Sequence, residues 1–304
     1  AQLTYRFDAG EQITYARTTR IGASGVPDTD VITLTCLARD AKGMRLLVSV
    51  GIAADLIGRA GGAQDALVLT IDDTGRRTLP DETPARIVAL HPLLDILPAL
   101  PLAARGETDW VTPADPVGRR WRCTQAGRAS AGGILTFSFT EDYLPGVADA
   151  VGESRRGRFT FSLQAGHVIG VEVETVGADG VVRRRDEINQ GARATMPAEW
   201  TLRRGDEASR FLRTLSHAER LGHELDPAAA DPNTVIQKLD QLWLAFGKEI
   251  DEKSGSPFTR IAIARRDAAQ RARPTLLGRA AIGARWMNKP ATGWTLENAD
   301  RDLV

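Results

Sequence analysis

The sequence contains few of the residues that carry most catalytic and metal-binding chemistry. Among 304 residues there are two cysteines and four histidines. Cys36 and Cys123 are too far apart for a CxxC pair, and no Gly-x-Ser-x-Gly motif marks a hydrolase nucleophile. His217 and His223 are not spaced as i and i+4, so they argue against a helical zinc site. The sequence therefore leans against an enzyme and predicts neither a metal nor a cofactor.

The chain also lacks an excess of charge of one sign and a long uninterrupted apolar run. It has 39 basic and 39 acidic residues, so no net field favours nucleic acid, and we expect no nucleic-acid partner. The longest apolar stretch, residues 87–104, contains His91, Asp95 and several prolines, which excludes a membrane-spanning helix there.

An initiator methionine is missing as well. The chain begins Ala1-Gln2-Leu3, as a mature protein does after a signal peptide has been removed at a small-residue site. We therefore expect an exported protein in the periplasm or another extracytoplasmic compartment. Membrane association is then expected only through a lost lipid anchor.

Both cysteines lie in strand-like stretches. Cys36 alternates with Ile32 and Leu34, and Cys123 alternates with Trp121, so both thiols should point inward. In an oxidising compartment two inward cysteines of one sheet predict a disulfide between Cys36 and Cys123. The alternative is a pair of free buried thiols that act as small apolar side chains.

Residues 1–202 follow the period of two that is typical of half-buried strands, interrupted by short glycine turns. The pattern places Ile169, Val171 and Val173 inside, with Glu172 and Glu174 outside. We predict a mainly β fold, a curved antiparallel sheet in the form of a half-barrel or barrel, followed by about three helices.

The β-rich region divides into two possible related strand sets, 1–84 and 107–202. Between them, residues 85–102 predict a short helix that leads into an extended proline-rich connection. Within the second set, Leu135, Phe137, Phe159 and Phe161 share inward positions, and we regard them as candidates for the lining of an apolar cavity.

The period changes to 3.6 after residue 202, which predicts a helical segment over 203–285 and an irregular tail over 286–304. The second helix starts after Asp231-Pro232, and the third runs from Ser256-Pro257 to Arg273-Pro274. The partner-interface candidates are Leu239, Trp243 and Phe246 on the second helix and Arg260, Arg265, Arg266 and Arg271 on the third.

Each group of interface candidates has a plainer explanation. The apolar stripe can be core packing, and the basic face can be solvated, with long side-chain stems that cover apolar surface. If the basic face does bind, an acidic protein surface fits an exported protein better than nucleic acid does.

The last residues carry a motif that combines Asn288-Lys289-Pro290-Ala291 with Trp294-Thr295-Leu296. This stretch resembles the lead-in of thioredoxin-like disulfide reductases and peroxiredoxin-like domains, where Gly-Lys-x-Ala-Pro and an aromatic-x-Leu precede the first strand. The resemblance implies the N-terminal region of a thiol-disulfide oxidoreductase. The sequence stops at Val304, before a catalytic CxxC, so no catalytic cysteine is carried over.

A second set of motifs lies in the β region. It comprises Tyr5, Phe7, Gly10 and Tyr15 at the start, Leu97-Pro98 and Leu100-Pro101 in the connection, and Gly157, Phe159, Phe161, Gly166 and Val168 near the end. The pattern is similar to exported bacterial β-rich domains of unknown function, some of which resemble lipoprotein-carrier half-barrels. The resemblance implies a fold and export more than an activity.

Three functions follow from these patterns. The first is a non-catalytic exported binding or assembly module that contacts a protein partner or a missing C-terminal domain. The second is the N-terminal region of a thioredoxin-like oxidoreductase. The third is a carrier of an apolar ligand or lipid. The sequence leaves the oligomeric state open.

Overall fold

A computed structural model of the chain describes residues 3–22, 25–52, 66–78, 93–101, 109–114, 119–126, 132–143, 153–224, 231–250 and 256–287. The chain divides into two compact units, Ala1–Ala208 and Ser209–Val304, which we call the sheet unit and the helical unit. Each unit is described by itself.

The sheet unit contains eleven strands in the described residues. They are β1 (Glu11–Ile21), β2 (Asp28–Asp40), β3 (Gly43–Ile52), β4 (Ala66–Ile71), β5 (Arg77–Thr78), β6 (Asp109–Val111), β7 (Arg119–Gln125), β8 (Ile134–Tyr143), β9 (Glu153–Ser162), β10 (His167–Gly177) and β11 (Val182–Thr195). The helices are α1 (Ala198–Glu224), α2 (Pro232–Gly247) and α3 (Pro257–Met287). The mainly β prediction with three following helices is confirmed.

All eleven strands belong to one sheet with the order β5-β4-β3-β2-β1-β11-β10-β9-β8-β7-β6. Strands β1 to β5 form one antiparallel meander and β6 to β11 form another. The two meanders join where the first strand pairs with the last, from Glu11 opposite Thr195 to Ile21 opposite Arg184. The sheet is not closed, so the half-barrel form of the prediction holds and the closed-barrel form does not.

The alternation of side chains gives the sheet two different faces. The inner face, which we define by Ile13, Leu34, Val48, Phe159 and Val171, is buried. On the outer face, by contrast, charged side chains form a ladder of exposed ion pairs across β9, β10 and β11. Its pairs are Arg158–Glu172 at 2.6 Å, Arg156–Glu174 at 3.1 Å and Arg185–Glu174 at 2.5 Å. A one-sided antiparallel sheet requires this division.

The sheet is strongly curved, because both of its edges reach one short segment of chain. Arg77 on the edge strand β5 bonds the carbonyl of Leu97, and Trp110 on the opposite edge strand β6 bonds the carbonyl of Ala99. A flat sheet of eleven strands would hold its edges about 48 Å apart at about 4.8 Å per strand. Residues 97 and 99 are separated by at most about 7 Å, so the sheet must curl around them.

A β-bulge changes one of the predicted side-chain orientations. The register between β10 and β9 shifts between Val168 and Gly170, so that Val168 lies opposite Phe161 and is buried. Ile169, which the alternation placed inside, is only partly buried as a result. One extra residue in a strand reverses the faces on its two sides, whereas Val171 and Val173 keep their inward positions.

The helices begin earlier and continue further than the sequence pattern predicts. The last strand ends at Thr195 and α1 begins at Ala198, within the range 1–202 that the pattern assigned to strands. Helix α3 continues through Pro274 to Met287 instead of ending at Arg273. The part of α3 beyond the proline packs through Ala280 on Val235 and Leu239 of α2, and this contact offsets the hydrogen bond that the proline removes. Residues 288–304, most of the predicted irregular tail, lie outside the described residues.

Candidate functional site

The inner face of the sheet is crossed by a segment of the chain itself, residues 93–101, which we call the strap. It starts as a 3-10 helix, Leu93–Ile96, and continues in an extended form. Ile96 and Leu97 are fully buried and Leu100 is nearly so. The strap occurs where the sequence predicts a short helix followed by a proline-rich connection, and its apolar side chains lie against the concave side of the sheet.

Side-chain donors of the sheet unit bind three consecutive carbonyl groups of the strap. Arg77 Nη2 donates to Leu97 O at 2.6 Å, Tyr5 Oη donates to Pro98 O at 2.9 Å and Trp110 Nε1 donates to Ala99 O at 3.0 Å. Proline has no N–H, so an extended proline-rich segment offers mainly acceptors. The inner face is therefore equipped to hold an extended chain through its oxygen atoms.

Gly75, in the turn between β4 and β5, permits the close approach of the strap. Its φ of 78° is in the left-handed region, and a Cβ there would lie 2.5 Å from the Tyr5 ring and 2.9 Å from Pro98 O. The next contact of the strap is Leu100 N, which donates to Thr74 O at 2.7 Å in the same turn. Only glycine meets both conditions at this position.

Aromatic side chains form the floor of the inner face on β8 and β9. Phe137 lies directly opposite Phe159, and Leu135 lies opposite Phe161. The rings of Phe137 and Phe159 stack with their centroids 5.0 Å apart, and all four side chains are buried. The structure thus brings together the four residues predicted to line an apolar cavity; the cavity itself stays a prediction.

A buried ion cluster lies beside this aromatic floor. The Arg155 guanidinium binds both carboxylate oxygens of Asp95 in the strap, with Nη1 3.3 Å from Oδ1. Its Nη1 also lies 3.2 Å from Oε2 of Glu141 on β8. Burial by itself would lower the pKa of Arg155, but the carboxylates of Asp95 and Glu141 raise it. The arginine therefore stays charged and holds two acids in an apolar environment.

Further polar groups continue from this cluster across the inner face. Thr19 Oγ1 donates to Asp186 Oδ1 at 2.6 Å, across the seam between β1 and β11. Arg184 binds the same carboxylate at 2.7 Å, and Arg17 pairs with Asp30 across β1 and β2. One end of the inner face is therefore charged and paired, whereas the middle is apolar.

His167 is the one histidine on the inner face among the described residues. It is fully buried, and its ring stacks on Phe7 with centroids 5.7 Å apart. Nδ1 lies 3.1 Å from Ala165 O and Nε2 lies 3.2 Å from Gln190 Oε1. Burial lowers the pKa of His167, so the ring is neutral at pH 7 and its position is structural.

The predicted disulfide is wrong: Cys36 and Cys123 are free and buried. Cys36 lies on β2 and Cys123 on β7, with five strands between them in the sheet order. The two strands are therefore not neighbours, and no strand pairing places the two cysteines side by side. Inward orientation was predicted from the alternation, but separation across the sheet depends on the strand order, which the pattern does not contain.

Burial also disfavours the thiolate form of both cysteines. It raises the pKa of Cys36 to about 12, with the Glu11 carboxylate adding to the effect, and it raises the pKa of Cys123 to about 12. A thiol with such a pKa is almost fully protonated at pH 7, and the thiolate is the nucleophilic form. Neither cysteine therefore has the properties of a catalytic residue.

The partner-interface candidates on α2 separate into buried and exposed residues. Leu239 packs against Val235 and Ala280 inside the helical unit, and Phe246 is buried. Trp243 remains 39% exposed and Leu244, which the pattern did not single out, is 61% exposed. Of the apolar candidates, only Trp243 lies where a partner could reach it.

The basic candidates on α3 are likewise divided. The Arg266 guanidinium lies over the Trp243 ring at 4.9 Å from its centroid and contacts Asp267 at 3.2 Å. Arg265 is partly buried and Arg271 is exposed. The side chain of Arg260 lies outside the described residues. The contact role of these arginines stays a prediction.

The ion cluster was not predicted from the sequence, although the positions of Asp95 and Arg155 in the sequence each indicate a buried charge. Asp95 is an acid within the longest apolar stretch, and Arg155 stands two positions before Gly157 on the same face as Phe159 and Phe161. A charge that shares the inward positions of a strand requires a buried partner. The strand alternation alone did not indicate that the strap would supply that partner.

Among the described residues, no group of three or more histidine, cysteine, aspartate or glutamate side chains is arranged to hold a metal ion. A search of the same residues finds no helix that is both long and apolar enough to span a membrane.

Comparisons with known proteins do not assign the chain to a family. No protein-family model and no curated protein matches it. Among solved structures, the dehydratase domain from the CurJ module of curacin polyketide synthase aligns over 64% of this chain and 79% of that chain, at 11% sequence identity and a TM-score of 0.13. A likeness at this level carries no argument about fold or function.

Proposed function

We propose that this chain is a non-catalytic binding protein that uses the inner face of its sheet to hold an extended apolar ligand. The observation that carries the proposal is the strap, because the inner face already holds an extended, buried apolar segment, whose carbonyl groups are bound by Arg77, Tyr5 and Trp110. This function is the third of those that follow from the sequence, a carrier of an apolar ligand or lipid. An extracytoplasmic location remains part of the proposal.

The chemistry of the inner face supports binding over catalysis. Its histidine is buried and neutral at pH 7. Both cysteines are buried and carry protonated, uncharged thiols at this pH. The Arg155 guanidinium is paired with the carboxylates of Asp95 and Glu141, and Arg17 is paired with Asp30. Apolar walls with a few placed polar groups are typical of sites for small hydrophobic ligands.

The test is direct binding of dodecanol, a neutral apolar chain, measured by isothermal titration calorimetry. We expect saturable binding by the wild type and weaker binding by Phe161→Ala, which removes part of the aromatic floor. Arg158→Ala is the matched control, since Arg158 lies on the same strand but on the outer face. Circular dichroism checks that both variants fold. Equal binding by Phe161→Ala and the wild type would place the ligand elsewhere, and no binding by the wild type would end the proposal.

A second candidate function is contact with a protein partner through the helical unit. The observation in its favour is that two adjacent apolar side chains, Trp243 and Leu244, are exposed on α2. Arginine and tryptophan are enriched among residues that dominate binding interfaces, and Arg266 lies over Trp243.

This candidate can be tested by cross-linking in cells with a photoreactive amino acid at position 244. We expect a discrete cross-linked product that disappears when Trp243→Ala is added. The control places the photoreactive residue at Asn233, which is exposed at the start of α2, about three turns before Leu244. The same product from both positions, or none from position 244, would contradict the candidate.

The hypothesis that the chain is the N-terminal region of a thioredoxin-like oxidoreductase is tested by the gene sequence. Its motif lies almost entirely in residues 288–304, outside the described part of the chain. A gene whose reading frame continues past Val304 into a CxxC motif would support it. The same gene sequence, read upstream of Ala1, tests for the signal peptide that export requires.

A further inference from the structure

The strap places a carboxylate at the head of a short apolar run. Asp95 is buried and is followed directly by Ile96 and Leu97, both fully buried on the inner face. A buried carboxylate joined to hydrocarbon has the chemistry of an anionic amphiphile. The strap thus occupies the inner face with a group that resembles a ligand of that class.

Arg155 recognises this carboxylate in the geometry that a guanidinium uses for a free carboxylate. Two of its nitrogens bind the two oxygens of Asp95, an arrangement that gives both strength and direction. Glu141 contacts the guanidinium from β8 and also accepts a hydrogen bond from Trp121 Nε1 at 3.4 Å. Glu141 and Trp121 therefore keep Arg155 in place when Asp95 is withdrawn.

We propose that the ligand of the inner face is a long-chain carboxylate, whose head group replaces Asp95 at Arg155 and whose chain replaces the 3-10 helix of the strap. This inference rests on the proposed function and specifies its ligand class. The 3-10 helix Leu93–Ile96 is the part of the strap that leaves, and its place against β10 and β3 receives the hydrocarbon.

The exchange conserves charge at the buried cluster. Arg155 faces the carboxylates of Asp95 and Glu141, with Asp186 also in electrostatic range. As the carboxylate of Asp95 leaves, that of the ligand arrives, so the number of buried charges is unchanged. A neutral head group would leave Arg155 short of one partner, and a cationic head group would add a like charge beside it.

The remainder of the strap has its own anchors and can stay bound. Tyr5 holds Pro98 O, Trp110 holds Ala99 O and Leu100 N donates to Thr74 O. None of these bonds involves residues 93–96. The strap can therefore open at the Asp95 end while its extended end remains on the sheet, which limits the structure lost on binding.

The experiment compares the binding of laurate, dodecanol and dodecyltrimethylammonium to the full chain by isothermal titration calorimetry. For the wild type we expect laurate to bind at least about tenfold more tightly than dodecanol, which corresponds to one charge-assisted interaction. Dodecyltrimethylammonium should bind more weakly than either. Asp95→Asn should bind laurate several-fold more tightly than the wild type, because the internal competitor loses its charge.

Variants of the arginine test the head-group contact. Arg155→Met should lose the preference for laurate and keep dodecanol binding, whereas Arg155→Lys should keep part of the preference. Arg158→Met, on the outer face of the same strand, is the matched control. Dodecanol binding by Arg155→Met shows that the variant is folded; should it fail to fold, Arg155→Lys and Asp95→Asn carry the test.

Amide hydrogen exchange supplies a readout of the displacement. Laurate should increase exchange at residues 94–97 and leave Leu100 N protected, and Arg155→Met should abolish the increase. The inference would be overturned, and the proposed function left intact, if each protein bound laurate and dodecanol with the same affinity and Asp95→Asn bound laurate no more tightly than the wild type. Laurate binding that is unaffected by Arg155→Met would overturn it too. Absence of binding of both laurate and dodecanol by both proteins would end the inference and the proposed function together.

Discussion

Single residues of the inner face decide how the sheet unit responds to its surroundings. His167 is an example, because it is fully buried between Phe7, the Ala165 carbonyl and the Gln190 side chain. Burial of the ring lowers its pKa in the folded protein. The unfolded chain therefore binds a proton at a higher pH than the folded chain does, and stability depends on pH in that window.

We predict that the contribution of His167 to the free energy of unfolding is constant above the ordinary histidine pKa, about 6.5, and falls as the pH drops below it. The sign follows because the unfolded state takes up more protons there. Urea denaturation at pH 7.5 and 5.5 measures the loss. His167→Gln should lose less stability over this interval, whereas His217→Gln, an exposed control on α1, should behave as the wild type. An equal loss in all three proteins would contradict the assignment.

The two cysteines give a second prediction for individual residues. Because both thiols are free and buried with pKa values of about 12, the native protein should react very slowly with iodoacetamide at pH 7.5. In denaturant without reductant, mass spectrometry should show two alkylated cysteines. No adduct in denaturant, with two adducts after reduction, would restore the disulfide that the alternation predicted.

At the scale of elements, the strap depends on a turn that belongs to the sheet. Gly75→Ala places a methyl group against the Tyr5 ring and Pro98 O and strains a left-handed residue. We predict a loss of about 1–3 kcal/mol in stability, the range for backbone strain of this kind. Gly180 is also a left-handed turn glycine, but it has open space around it. Gly180→Ala is therefore the control that measures the backbone strain without the steric clash. A smaller loss in Gly180→Ala, measured by urea denaturation, is the expected result.

Pro274 provides a prediction for the helical unit. It lies inside α3 and is exposed, so alanine there should restore a helical hydrogen bond. Up to about 3 kcal/mol separates proline from alanine inside a helix. We expect Pro274→Ala to raise the thermal midpoint, and Thr275→Ala, its exposed neighbour, to leave it nearly unchanged. A lower midpoint for Pro274→Ala would mean that the packing of α3 on α2 requires the proline.

The elements differ in how far the sequence reveals them. Strand alternation and helical spacing predict the fold class because they are local. The bulge at Ile169 and the continuation of α3 past Pro274 are not local, since each depends on packing against a neighbouring element. The aromatic floor could be predicted from the sequence for the same reason as the strands, because Phe137 and Phe159 share inward positions in the local alternation. The pairing of Arg155 with Asp95 could not be predicted from the sequence, since Asp95 comes from a segment 60 residues away.

At the scale of the whole molecule, the pairing of β1 with β11 joins the two ends of the sheet unit. Thr19 binds Asp186 across this seam over a sequence separation of 167 residues, whereas Arg17 binds Asp30 within one hairpin over 13 residues. Both bonds start from the same strand. Long-range pairing has the larger entropic cost and is expected to form later in folding.

We therefore predict that Thr19→Val accelerates unfolding and barely changes the folding rate. Arg17→Met should slow folding to a measurable extent, because its hairpin can form early. Stopped-flow denaturant jumps give both rates, and φ-values apply where the loss of stability exceeds about 0.6 kcal/mol. A larger effect on folding for Thr19→Val than for Arg17→Met would show that the seam forms first.

The curl of the sheet has a consequence for the behaviour of many copies in solution. Open sheets tend to recruit further strands at their edges, which leads to aggregation. Here the edge strands β5 and β6 have only two and three residues, and both direct a side chain to the same strap. Such short edge strands offer few backbone groups to a second copy, so the described sheet is protected against edge-to-edge association at both of its ends.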